Sequence, residues 1–278
     1  KAGQIQSAEQ AFRLSANTVQ GLDFNNTPAS AINEQLASIN NLTLGVYFYL
    51  LELPSVAQHY WQSSSGFATD YFVGLYRFGE QDFSAAKTQF SASLNKAAGF
   101  ISAQIMLAET HLRLGDTQAA EAAFAQALKT SQEPGLLLKA GLVAERNGDL
   151  ALAEQRLVAL VDKAPQNALV LNQLAWFYAS HNIKLDRGVK LAQQALALSP
   201  EDANLLDTLG WLYFGQQQYA QALSTLTKAN SQAGGRNQSI LYHLAMAHTR
   251  LGYHQKALQQ AQHSLSVQAT GGYAAQLS

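Results

Sequence analysis

Small residues recur along this chain at nearly constant spacing, and that recurrence leaves few folds open. One series is Gly74, Ala108, Gly141, Ala175, Gly210 and Ala245, with steps of 34, 33, 34, 35 and 35. A second is Ala86, Ala120, Ala153, Gly188, Ala222 and Ala257, with steps of 34, 33, 35, 34 and 35. The two series stay 12 residues apart except between Ala175 and Gly188, where the gap is 13 and a loop has gained a residue. A period of this length marks stacked helix hairpins, each too small to bury its own apolar face.

The residues around each small pair explain the period. Leu206, Leu209, Gly210 and Tyr213 are spaced for one face of a helix, and Ala222, Leu226 and Ala229 for one face of the next. Gly210 and Ala222 lack bulk where the two antiparallel helices would touch, so the axes can approach closely. Gly215 weakens the end of the first helix. Pro134, Pro165 and Pro200 stand at handovers between hairpins, ahead of a new helix.

This pattern resembles the tetratricopeptide repeat (TPR) motif, W-x2-L-G-x2-Y followed by A-x3-F. The leading Trp is replaced by Leu171, Leu206 and Leu241, and upstream by Gln104 and Asp70. Six units match over residues 67–268. The resemblance implies an all-α, right-handed superhelix (an α-solenoid) of antiparallel hairpins. Helices are expected over 67–79, 82–95, 101–114, 117–130, 134–147, 150–163, 168–181, 185–198, 203–216, 219–232, 237–251 and 254–267.

The ends are less regular. Residues 1–66 form a divergent helical region and 269–278 a cap or tail. Gly3, Ala8, Phe12 and Ser15 match a second helix without its first, over 3–16, as in a fragment cut from a longer repeat protein. Thr27 can cap a helix beginning at Pro28. Gly45 and Ala57 keep the 12-residue spacing, with Leu44 and Trp61 in register, but Gly74 follows Gly45 by only 29, so a lengthened or extra helix is expected. Tyr273 to Leu277 can start a capping helix. Gln255, Gln259, Gln260, Gln262 and His263 give the last repeat a polar outer face.

Composition narrows function mainly by exclusion. Net charge is −1 and only 13% of residues are charged, so no basic field exists for nucleic acid or anionic lipid. With no cysteine there are no disulfides, thiol nucleophiles or Cys-based zinc sites. The longest apolar run, Leu42 to Leu53, is too short to span a bilayer. No GxSxG, HExxH, Walker A or GxGxxG motif occurs. The histidines are scattered, so neither metal nor cofactor is expected. Glu109 and Glu145 could pose as an acid–base pair, but Arg113 and Arg146 lie close by and favour ion pairing.

One stripe invites a binding role. In a TPR superhelix the residue after the small residue of each first helix faces the inner surface: here Leu75, Glu109, Leu142, Trp176, Trp211 and Met246. Asn172, Gln173, Asp207, Thr208, Tyr242, His243 and Arg250 join it. Aromatic rings among Asn, Gln and Asp resemble a recognition groove for a protein or peptide. The alternative is that both Trp side chains pack on neighbouring helices and expose only an edge. The chaperone-binding two-carboxylate clamp would need Lys, Asn and Arg where Trp176, Asp207 and Trp211 stand, so that ligand is not expected. Residues 168–268 also resemble the C-terminal region of TPR lipoproteins of exosortase/PEP-CTERM exopolysaccharide systems in Gram-negative bacteria. That resemblance implies a periplasmic or cell-envelope scaffold in surface polysaccharide or protein export, with the cytoplasm as the other location. Direct glycan binding through the groove aromatics is the rival reading, and an enzyme the third.

Overall fold

The computed structural model describes residues 29–270, and among them there are helices and no strand. The expected helix over 3–16, the Thr27 cap and the Tyr273–Leu277 segment lie outside the described residues. The helices group into two compact units that part between Asp149 and Leu150. The first holds α1 (Ala29–Leu50), α2 (Pro54–Gln62), α3 (Phe67–Gly79), α4 (Phe83–Lys96), α5 (Ile101–Arg113), α6 (Thr117–Leu128) and α7 (Pro134–Arg146). The second holds α8 (Leu150–Lys163), α9 (Ala168–Ser180), α10 (Leu185–Leu198), α11 (Ala203–Gly215), α12 (Tyr219–Gln232), α13 (Gln238–Arg250) and α14 (His254–Thr270). From α3 onward every expected helix is present, with ends within a few residues of expectation. The lengthened helix is α1, 22 residues long.

All six members of each small-residue series are buried. Their use differs from simple mutual contact. A Cβ built on Gly74 would lie 2.6 Å from Phe90, one on Gly210 2.6 Å from Leu226, and one on Gly45 2.3 Å from the Trp61 indole. Phe90, Leu226 and Trp61 each stand four residues beyond the small residue of the second helix. The first small residue therefore makes room for the large side chain of its partner helix. The second small residue serves another contact: a Cβ on Gly188 would meet Leu212 of the following hairpin at 2.5 Å. Ala222 is likewise fully buried in the cluster with Leu206, Leu226 and Leu244. Ala222→Leu should cost about 1–3 kcal/mol by overpacking. Hydrogen exchange should rise in α11 to α14 and not in α3 to α6; a uniform rise would contradict local coupling between neighbours.

Side chains at the hairpin ends repeat with the same period. Asn167, Asp202 and Asn237 cap α9, α11 and α13, each side-chain oxygen accepting from backbone N–H groups two and three residues on, with the nearer contacts at 2.8–3.0 Å. Asp82 and Asp116 cap α4 and α6. At the far ends of three hairpins Ser64, Ser93 and Ser264 each donate to a carbonyl 26 residues earlier, on Ser38, Phe67 and Gln238. Gly115, Gly148 and Gly252 take φ near +80° in the intervening turns. The extra residue between Ala175 and Gly188 is absorbed by a turn in which Asn182 and Lys184 are both left-handed, at φ 53° and 45°.

Ion pairs bridge neighbouring helices. Glu109 pairs with Lys139 on α7 and not with Arg113 as its neighbour in sequence, because first helices lie side by side and present residues about 30 apart. Glu154 accepts from Lys184 at 2.7 Å and from the Tyr178 hydroxyl at 2.7 Å. Desolvation pushes its carboxyl up, but the bonds from Lys184 and Tyr178 and the charge of Arg187 outweigh it and hold the pKa below 4.5. Burial lowers the imidazoles of His111 and His248 below 6.5; the Asp116 carboxylate opposes the shift at His111, and the charges of Lys87 and Lys256 add to it. All three depressed groups contribute stability that is complete above their unfolded pKa and is lost as pH falls through the folded one. Urea midpoints should therefore fall from about pH 6.5 downward and again below about pH 4.5. His248→Gln should flatten the first step in the second unit; an unchanged profile would exclude this origin.

The polar end face expected of the last helix is only partial. Gln255, Gln259, Gln262 and His263 are exposed, but so are Leu258 at 60% and Leu265 at 65%.

Candidate functional site

The stripe residues come together in the second unit because α9, α11 and α13 are neighbouring first helices. Their centre is His243, which is 5% exposed. Its Nδ1 lies 2.7 Å from Oδ1 of Asp207, itself 7% exposed. An Nδ1–H of His243 can donate only to this carboxylate, and in the neutral ring that tautomer leaves Nε2 as the acceptor. Trp211 stacks on the imidazole at 4.2 Å and 20°, while Trp176 and Tyr242 stand 5.9 and 5.7 Å away.

Trp211 also stacks on Phe214, at 4.5 Å and 11°. With rings separated vertically by ~3.5 Å, these centroid distances leave too little lateral offset for both rings to lie on one side of the indole. Phe214 and His243 therefore cover opposite faces, and Trp211 presents an edge. Trp176 is half-buried, tilted 44° to the His243 ring and with no stacked ring among the described residues, and Tyr242 is 52% exposed. Met246, Asn172 and Gln173 are half-buried, and Asn172 Oδ1 is buried without a partner. Thr208 is 3% exposed and its hydroxyl donates to the Asn204 carbonyl of its own helix. His243 and Asp207, both expected in the groove stripe, are buried and bonded to each other.

Two concavities flank this cluster at opposite ends of α13. One, of about 590 Å³, is bounded by Trp176, Ser239, Tyr242, His243, Ser264 and Leu265. The other, of about 310 Å³, is bounded by Asn182, Trp211, Phe214, Gln217, Tyr219 and Arg250. Arg250 lies 6.0 Å over the Phe214 ring. Sequence reasoning found the α9, α11 and α13 residues but missed the contributions of α14 and of the turns. Asn182 and Gln217 carried a signal: both occupy left-handed turn positions that Gly fills in other repeats, at φ 53° and 63°. Gln81 shares that geometry at φ 62° in the first unit, so the conformation alone does not mark a site. Among the described residues no group of three His, Asp or Glu side chains could hold a metal ion. No described helix is long and apolar enough to cross a membrane.

The tetratricopeptide repeat family model matches residues 74–135, 105–168 and 208–271, more than half of the chain. This chain belongs to the TPR family. A TPR repeat-containing protein of Pseudomonas aeruginosa is 31% identical over 98 residues, covering 35% of this chain and 17% of that protein. Among solved structures, a chain of the APC/C hetero-tetramer Cut9–Hcn1 superposes with TM-score 0.57 at 18% identity, covering 92% of this chain and 50% of that one. YrrB, described as a TPR protein with an unusual peptide-binding site, superposes with TM-score 0.55 at 17% identity over 62% of this chain and 89% of its own. At these identities the two structures share a fold with this chain.

Proposed function

We propose that this chain is a non-catalytic scaffold whose second unit holds a protein or peptide segment against the Trp176–Tyr242–His243 cluster. Membership of the TPR family supports a protein-interaction role, and YrrB shows that the fold can carry a peptide site. The observation that carries the reading is an exposed tyrosine and a half-buried tryptophan beside an open concavity, next to a histidine whose tautomer is set by a buried carboxylate. Such a surface offers apolar area with one directional acceptor, as hot spots do.

The glycan alternative loses support at Trp211, whose faces are both taken, leaving no open platform there for a sugar ring. The enzyme alternative has an Asp–His pair but, among the described residues, no hydroxyl bonded to His243. For cellular role we propose the envelope: assembly or export of surface polysaccharide or sorted proteins in a Gram-negative bacterium. The support is the resemblance of residues 168–268 to TPR lipoproteins of that kind. Fractionation that recovers the full-length protein only in the cytoplasm would remove it.

Tyr242→Ala should weaken partner binding roughly tenfold with little loss of stability, because about half of the side chain is already in solvent. A photo-crosslinker at Tyr242 should give a discrete protein adduct that the same group at exposed Lys228 on α12 does not. Equal labelling at both positions, or binding of purified polysaccharide alone, would sink the protein-groove reading.

A further inference from the structure

The two concavities differ in chemistry, and their separation constrains what can fill both. The larger is walled by Trp176, Tyr242 and Leu265, with the mostly buried His243 also in its lining. The smaller has Arg250 as its one charged lining residue, among neutral donors such as Asn182, Gln217 and Tyr219. Among the described residues no carboxylate pairs with Arg250; its contact is the Phe214 ring, which supports the guanidinium from one side. The cation is thus held at the rim with its hydrogen-bonding edge uncommitted, an arrangement suited to bidentate recognition of a carboxylate.

Ser239 borders one concavity and Arg250 the other, on the same helix. Eleven residues at ~1.5 Å per residue set them about 16 Å apart. An extended segment advances ~3.3 Å per residue and turns alternate side chains to one face. Positions i and i+4 on one face are then about 13 Å apart, and the reach of a Glu and of Arg250 covers the remainder. A backbone N–H between them can donate to His243 Nε2.

We propose that the groove takes an extended peptide segment carrying a large apolar side chain and, four residues away, an acidic side chain that pairs with Arg250. This rests on the protein-groove reading and adds a specificity to it. It also differs from a terminal carboxylate clamp, since the acid is internal to the ligand.

The test is selection of random dodecamers displayed as N-terminal fusions on phage, which leaves no free peptide C-terminus. Selection uses the full chain, with Tyr242→Ala and Arg250→Glu proteins as comparison targets. Enriched sequences should share an apolar–x3–acidic pattern in one chain direction. As synthetic peptides they should lose about tenfold in affinity against Arg250→Glu and regain it when the acid is changed to Arg. Circular dichroism should show Arg250→Glu folded, as expected of an exposed side chain. Peptides that need Tyr242 but carry no acid, or that ignore Arg250→Glu, overturn this inference and leave the groove reading standing. Failure to enrich any Tyr242-dependent sequence overturns both.

Discussion

Phe90→Ala should cost the first unit about 3–5 kcal/mol, toward the upper end of that range. Phe90 is fully buried, and its ring occupies the space left by Gly74 and lies 5.9 Å from the Tyr71 ring. Gly74 has no side chain to relax into the void, so the cavity persists and its lining loses its contacts. Phe124→Ala should cost less, because Ala108 in the register of Gly74 fills part of the equivalent space. Domains of this size are stable by only about 5–15 kcal/mol, so the transition of the first unit should shift clearly in urea. A converse variant separates packing from helix propensity. Gly74→Ala alone brings a Cβ to 2.6 Å from the ring and should destabilise, although Ala is the better helix former. Combined with Phe90→Leu it should cost much less than the two changes summed. Additive effects in that cycle, or a shift under about 1 kcal/mol for Phe90→Ala, would refute a glycine–phenylalanine lock.

The hairpins were legible because the sequence states them repeatedly. Each small residue is a weak signal, but six in phase fix the helices, and the 13-residue gap between Ala175 and Gly188 marks the insertion that the left-handed turn absorbs. Contacts between repeats were harder to read. Glu109 has Arg113 four residues away in sequence, yet it pairs with Lys139, because side-by-side first helices bring residues 30 apart together. Thr208 was grouped with the groove by spacing, but its hydroxyl turns back to its own helix, the usual local option for a buried Thr. Asp207 and His243 were both picked out, while their bond was not. It joins positions 36 apart, one period plus one residue, a diagonal that the small-residue register does not display. The far wall of the larger concavity comes from Ser264 and Leu265 on α14, whose sequence reads as a polar end helix.

Asp207→Ala should destabilise the second unit. It strands the Nδ1–H of His243 in a place with little access to water. Leaving a buried polar group unpaired costs about 1–3 kcal/mol. Trp211 adds to the loss, because its stacking on the imidazole depends on the ring orientation that Asp207 fixes. His243→Phe in the same background removes the stranded donor and keeps a ring between Trp211 and Tyr242. Replacing both partners by apolar groups of similar shape is often nearly neutral, so the double variant should recover most of the stability. It should not recover binding if His243 Nε2 accepts a hydrogen bond from the partner. Restored stability with weak binding assigns the pair to recognition as well as to packing. Equal instability in the single and double variants would show that Asp207 acts through other contacts, and full recovery of binding in the double variant would leave Nε2 without a role in recognition.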